Sequence, residues 1–320
     1  MLVVLIFLCG SGARQARKAL RFLEVILHIG AHRTATSSLQ AMLHQNRSNL
    51  SKNGVAYWGP KVTRGGVFAG LLRTRGADTP IARALQAKSV GRVALRLKKL
   101  DQRRLDMLVI SDENILGSMR NNLRENLLYP DLENRLGRFN AVLGESCRRV
   151  CMAIRPYHHY WASTLAFSIP GGQAAPDAPM LNRLATSERT WRNVVTDVAF
   201  AFPDAEVLVW EFDRVANRPD WQFDLISARR VRLNHRPERR NQSPNRAQLR
   251  SILTDRGALQ EARTIAPGEG AYMPFSADQI AQMKRQYEQD VRWLRRATTR
   301  RNTGVRREPF GARLQAGALG

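Results

Sequence analysis

Residues 25–40 run from an apolar stretch, Val25-Ile26-Leu27-His28-Ile29, through Gly30 into one cation, Arg33, and four hydroxyls, Thr34, Thr36, Ser37 and Ser38. Such a cluster is built for an anion. Amides at a helix start, the helix dipole and the hydroxyls can converge on one phosphate, with Arg33 adding charge. A plain N-cap accounts for Thr36, Ser37 or Ser38 singly, but four near-consecutive hydroxyls exceed what a cap requires. The common nucleoside-triphosphate loop needs Gly-Lys before Ser or Thr. Here Gly30 is followed five residues later by Ala35 and no Lys is present, which disfavours kinase or ATPase chemistry.

The stretch resembles the 5′-phosphosulfate loop of sulfotransferases that use 3′-phosphoadenosine 5′-phosphosulfate (PAPS). Bacterial members carry His-Ile-Gly-x-x-Lys-Thr-Gly-Thr-Thr-Ser-Leu-Gln, against His28-Ile29-Gly30-Ala31-His32-Arg33-Thr34-Ala35-Thr36-Ser37-Ser38-Leu39-Gln40 in this chain. The resemblance implies that Arg33, Thr34, Ala35, Thr36, Ser37 and Ser38 hold the 5′ end of the donor. Arg33 stands where the family has Lys, a cation of different reach and donor geometry. Ala35 stands where it has Gly, adding a methyl where the backbone needs positive φ or a close approach to phosphate. The family also places an Arg at a later strand end and a Ser eight positions on, both holding the 3′-phosphate. Arg155 and Ser163 have that spacing, and a strand end followed by two helical turns lets both face one crevice. Ile110-Ser111-Asp112-Glu113 looks like the strand-end Ser-x-Glu of bacterial members, and Asn241-Gln242-Ser243-Pro244 like their Asn-x-Ser-Pro segment. Asp290-Val291-Arg292-Trp293-Leu294 resembles their terminal helix. The likeness covers about residues 24–296.

The implied activity is sulfuryl transfer from PAPS to a hydroxyl or amino group, without a metal. Arg33, with Thr36 and Ser37, would stabilise the leaving oxygen, and Glu113, just past a strand end, would take the acceptor's proton. Asp112, His32 and His158 are rival bases. The acceptor is expected to be a small molecule or a carbohydrate, and the loops at 60–80 and 169–182 are candidates for its pocket. A catalytically impaired, nucleotide-binding relative is the alternative that the departures at Arg33 and Ala35 leave open.

A loop of this kind needs a strand before it and a helix after it. Apolar runs bounded by turn residues predict strands at 25–29, 55–58, 107–110, 150–154 and 207–210, with a helix at 37–50 and another around 92–104. Leu132, Leu136, Phe139 and Leu143 recur with helical spacing, as do Ile280, Met283, Tyr287, Val291 and Leu294; both stripes read as core faces. Segments 169–180 and 237–244 read as Gly- or Pro-rich loops. The expected fold is α/β, a central, mostly parallel sheet flanked by helices in three layers; the resemblance makes it P-loop-like. The domain spans 21–296, between an extension at 1–20 and an Arg-rich tail at 297–320 that lacks apolar periodicity and reads as disordered.

The 320 residues are 43% hydrophobic and 24% charged, an ordinary globular balance. The net charge of +24 is not ordinary, and only seven of the 51 basic residues are Lys. Much of the excess lies in 228–250 and 292–313, each with eight Arg against one Glu. Anionic partners are favoured. With aromatics at 7% and no stacking or helix-turn-helix pattern among the Arg clusters, charge alone gives no specific nucleic-acid reading. Cys9, Cys147 and Cys151 are odd in number and form no CxxC, as expected of reduced thiols in the cytoplasm. The apolar run at 2–8 is too short to span a bilayer, leaving peripheral membrane contact through residues 1–20 as the alternative. Oligomeric state is not legible.

Overall fold

Strand β1 (Glu24–His28) is buried along all but its first residue. Its side chains alternate between two cores, Val25 and Leu27 entering one and Ile26 the other. Strands β3 (Met107–Ser111), β4 (Cys147–Ile154) and β5 (Glu206–Glu211) divide in the same way: Leu108, Val150 and Val207 lie on one face, and Val109, Cys151 and Leu208 on the other. Strands apolar on both faces require a parallel sheet covered by helices on both sides. Together with β2 (Val55–Trp58), they form one five-stranded sheet in the order β2-β3-β1-β4-β5, with every neighbouring pair parallel.

The computed structural model describes residues 23–72, 79–215, 218–234 and 241–299. One face of the sheet is covered by helices Leu132–Leu143, Tyr157–Ser168, Trp191–Ala201 and Ala277–Thr299. The other is covered by helices Thr36–Gln45 and Pro219–Ser227, through Leu39, Leu43, Phe223 and Ile226. The result is a three-layer α/β fold. Among the described residues no helix is long and apolar enough to cross a membrane.

All five expected strands are present, β4 beginning three residues earlier than the apolar pattern indicated. The single helix expected at 37–50 is instead two, Thr36–Gln45 and Arg47–Lys52, divided at Asn46. The helix expected around 92–104 starts at Pro80, capped by the Thr79 hydroxyl, which accepts from the Ala82 amide. Segment 60–80 is not a plain loop: a short helix, Pro60–Val62, runs into a wide turn, Thr63–Val67, kinked at Gly66 with φ 110°. Within 169–182 a helix starts at Ala178, capped by Asp177. Residues 297–299, expected to begin the tail, continue the last helix. The remaining tail, residues 1–20 with Cys9, and 237–240 lie outside the described residues.

Candidate functional site

The loop leaving β1 stays tied to β4, Ala31 N–H donating to the Ala153 carbonyl at 3.1 Å and Ala153 N–H to that of Gly30 at 2.6 Å. Gly30 has φ 113°, and a Cβ there would stand 3.1 Å from the Glu113 Cβ. Glycine therefore permits both the turn and the close passage of the β3 end. Arg33 and Ala35 follow in the left-handed region, at φ 62° and 56°. The Thr34 and Thr36 hydroxyls donate to the Ala31 carbonyl at 2.7 and 3.2 Å, binding the loop into a ring. The Ser37 hydroxyl accepts from Asn241 Nδ2 at 2.8 Å, and Ser38 N–H donates to the Ala35 carbonyl at 3.0 Å. No residue among those described accepts from the amides of Arg33, Thr34, Ala35, Thr36 and Ser37. Successive open amides ending at a helix start form an anion-binding concavity. The donors that the loop leaves open are thus its amides, while its threonines hold its shape.

The Arg33 side chain turns toward the β4 side. Its Nε donates to Ser163 Oγ at 2.9 Å, and its Nη2 to Ser243 Oγ at 2.8 Å and the Asn241 carbonyl at 2.9 Å. The guanidinium carbon lies 4.5 Å from the centre of the Phe167 ring. Arg155, one residue past β4, donates from Nη1 to the Arg33 carbonyl at 3.0 Å and lies over Phe212 at 4.8 Å. Its backbone is fixed by Trp191 Nε1, which donates to the Arg155 carbonyl at 2.8 Å. The Arg155 Nε is buried without a hydrogen-bond partner. Burial, and then the Arg155 charge, push the Arg33 pKa down to about 10; burial lowers that of Arg155 as well. Among the described residues no carboxylate hydrogen-bonds to either. Two adjacent, half-buried cations served by neutral partners are poised for an anion. Arg33, Arg155, Ser163 and Ser243 are therefore brought together.

Glu113 lies at the neighbouring strand end, after β3. Its Oε1 accepts from Arg64 Nη2 at 2.7 Å and its Oε2 from Gln40 Nε2 at 2.9 Å. Burial opposes its charge, but the nearby His32 and Arg64 outweigh that and hold its pKa below the ordinary value, so it is ionised at neutral pH. Of the rival bases, Asp112 is fully buried and engaged by Arg64 Nη2 at 2.7 Å, the Thr63 hydroxyl and the Asn114 amide. His32 is wedged between Tyr129 OH at 3.0 Å and Asn114 Oδ1 at 3.2 Å, with burial lowering its pKa. His158 rests on His159, ring centres 4.1 Å apart, and burial lowers its pKa to about 4. Arg33 makes no hydrogen bond to Glu113; the cation beside Glu113 is Arg64.

Sequence reasoning did not single out Arg64, Phe167 or Phe212. Arg64 is followed by Gly65-Gly66, whose kink marks a special turn, but nothing local announces a carboxylate partner 49 residues away. Cys147 and Cys151 are buried, and burial raises both thiol pKa values, so neither is a nucleophile. No family model, curated protein or solved structure matches the chain.

Proposed function

We propose that the protein binds PAPS and transfers its sulfuryl group to a hydroxyl or amino group of an acceptor, a small molecule or a carbohydrate. The observation that carries this reading is the pairing of two anion sites across β1 and β4. One is the open amide loop at 33–37; the other is the adjacent Arg33 and Arg155 with Ser163 and Ser243. A nucleotide with phosphate at both ribose ends needs two such sites, and the residues present fit that demand. The motif likeness at residues 28–40, 155 and 163 adds to it, and brings with it a P-loop-like reading of the fold and a cytoplasmic setting.

The amides of 33–37 and Ser37 would hold the 5′ end of the donor, and Arg155, Ser163 and Ser243 the 3′-phosphate. The donor supplies the transferable sulfuryl group and a phosphate oxygen as leaving group. Glu113 is the base of choice: ionised, 16% exposed at its side chain and placed where the loop emerges, it can take the acceptor's proton on a carboxylate oxygen. Arg64 and Gln40 fix its orientation. A second reading, nucleotide binding without transfer, is favoured by the course of the Arg33 side chain toward Ser163 and Ser243 rather than Glu113.

Calorimetric titration with 3′-phosphoadenosine 5′-phosphate, against ADP and AMP, tests the donor site without an acceptor. Binding that needs the 3′-phosphate and is lost in Arg155→Ala supports both readings; equal, weak binding of all three nucleotides overturns them. Sulfate transfer in an acceptor screen, with turnover lowered in Glu113→Gln while nucleotide affinity holds, then separates the first reading from the second.

A further inference from the structure

Helix Pro80–Gln102 carries six cations, Arg83, Lys88, Arg92, Arg96, Lys98 and Lys99, and no acid before Asp101. It packs on the body through Ala82, Ser89, Val93 and Leu100. At about 100° per residue, Ile81, Lys88, Arg92, Leu95, Lys99 and the capping Arg103 share an arc of about 80° beside that buried line, along about 33 Å of helix. All six are exposed. Ile81 and Leu95, at 71% and 63% exposure, are two of five large apolar side chains left in solvent among the described residues. Arg92 uses two of its donors on the helix itself, at the Lys88 carbonyl and the Ser89 hydroxyl. No carboxylate among the described residues is paired with Lys88, Arg92, Lys99 or Arg103.

We propose that this helix is a docking surface for an anionic phospholipid bilayer, with its cations at the headgroup phosphates and Ile81 and Leu95 in the interfacial layer. Cations alone would serve any polyanion. The two apolar side chains set among them, about 21 Å apart along the helix, favour a lipid interface over a nucleic acid or an acidic polysaccharide, because a bilayer offers apolar depth below its charge and those polymers do not. The helix needs no span for this; it lies along the surface and binds reversibly. This inference does not depend on the proposed enzymatic activity.

The test is co-sedimentation of the full chain with vesicles of phosphatidylcholine alone and of phosphatidylcholine mixed with phosphatidylglycerol. The protein is expected on the anionic vesicles only, and less so as salt is raised. Ile81→Ser with Leu95→Ser leaves the charge unchanged and is expected to weaken binding about tenfold. Lys88→Glu with Lys99→Glu is expected to weaken it by at least about tenfold. Arg183→Glu with Arg263→Glu, equally exposed on other helices, is expected to cost less than about threefold. Circular dichroism and thermal melting establish that each variant is folded. Unchanged binding in the apolar pair, or equal loss in the Arg183 and Arg263 control, overturns the proposal. So does retention on heparin or duplex DNA without vesicle binding, which would make the helix a soluble-polyanion surface.

Discussion

Ala35 sits at φ 56° and ψ 21°, in the left-handed region just before helix Thr36–Gln45, without a side-chain cap. A β-carbon there costs about 1 kcal/mol or more. Glycine would remove that strain but gain freedom in the unfolded chain, offsetting part of the benefit. Ala35→Gly is therefore expected to stabilise the fold by about 0.5–1 kcal/mol in urea denaturation; equal or lower stability would show that the loop accommodates the methyl without strain. This position was singled out in the sequence, since alanine stands there where the loop that the stretch resembles has glycine, whereas the role of His28 was not. His28 is buried between Ser111 Oγ, at 2.8 Å from its Nδ1, and the stacked ring of Trp210, and burial lowers its pKa from 6.5 to about 4. Its neutral ring contributes stability that is present above pH 6.5 and lost as pH falls toward 4, because the unfolded chain takes up the proton first. The loss is on the order of 3 kcal/mol at the acid end. His28→Phe keeps a ring on Trp210, and its stability should fall less steeply between those pH values; an unaltered slope would assign the acid sensitivity to other groups.

At the scale of elements, the strands were readable because fully buried parallel strands leave short apolar runs with nothing else to explain them. The division of the helix after β1 was not, because its cause is distant. Asn46 Nδ2 donates to the Met42 carbonyl and to the Asn234 carbonyl, both at 2.8 Å, and its Oδ1 accepts from the Asn234 amide at 2.8 Å. The side chain thus ends one helix while pinning the segment that follows helix Pro219–Ser227. Asn46→Ala leaves the Asn234 groups without this partner and should cost about 1–3 kcal/mol. Urea melts read the loss, and faster amide exchange at 231–234 would place it; an undiminished stability would mean that solvent replaces Asn46 freely. The acidic turn after β3 was half legible in the same way. Glu113 was singled out by its place past a strand end and by the resemblance together, but Arg64, which holds it, belongs to a turn whose partner only the fold supplies.

At the scale of the molecule, the order β2-β3-β1-β4-β5 puts β1 at the centre, with β2 and β3 on one side and β4 and β5 on the other. Chain connections leave the carboxyl ends of β1 and β4 in opposite directions, and such a switch point opens a crevice for a ligand. The loop at 30–35 and Arg155 stand at its two lips. What gathers there is unfavourable for the free protein: two neighbouring guanidiniums, depressed by burial, and a buried Nε without a partner. Sites kept for binding often cost stability in this way. Arg155→Met keeps an apolar stem over Phe212 and removes the charge, losing one charge-assisted hydrogen bond worth about 1.5–3 kcal/mol and relieving an unsatisfied buried group of similar cost. Without ligand its melting temperature should equal or exceed that of the native chain. With 3′-phosphoadenosine 5′-phosphate at about a hundred times its dissociation constant, the native protein should gain about 2.7 kcal/mol, a rise on the order of 5 °C. The variant should show no rise. An unliganded loss beyond about 2 kcal/mol would make Arg155 a structural strut of the crevice rather than a residue held in reserve for an anion.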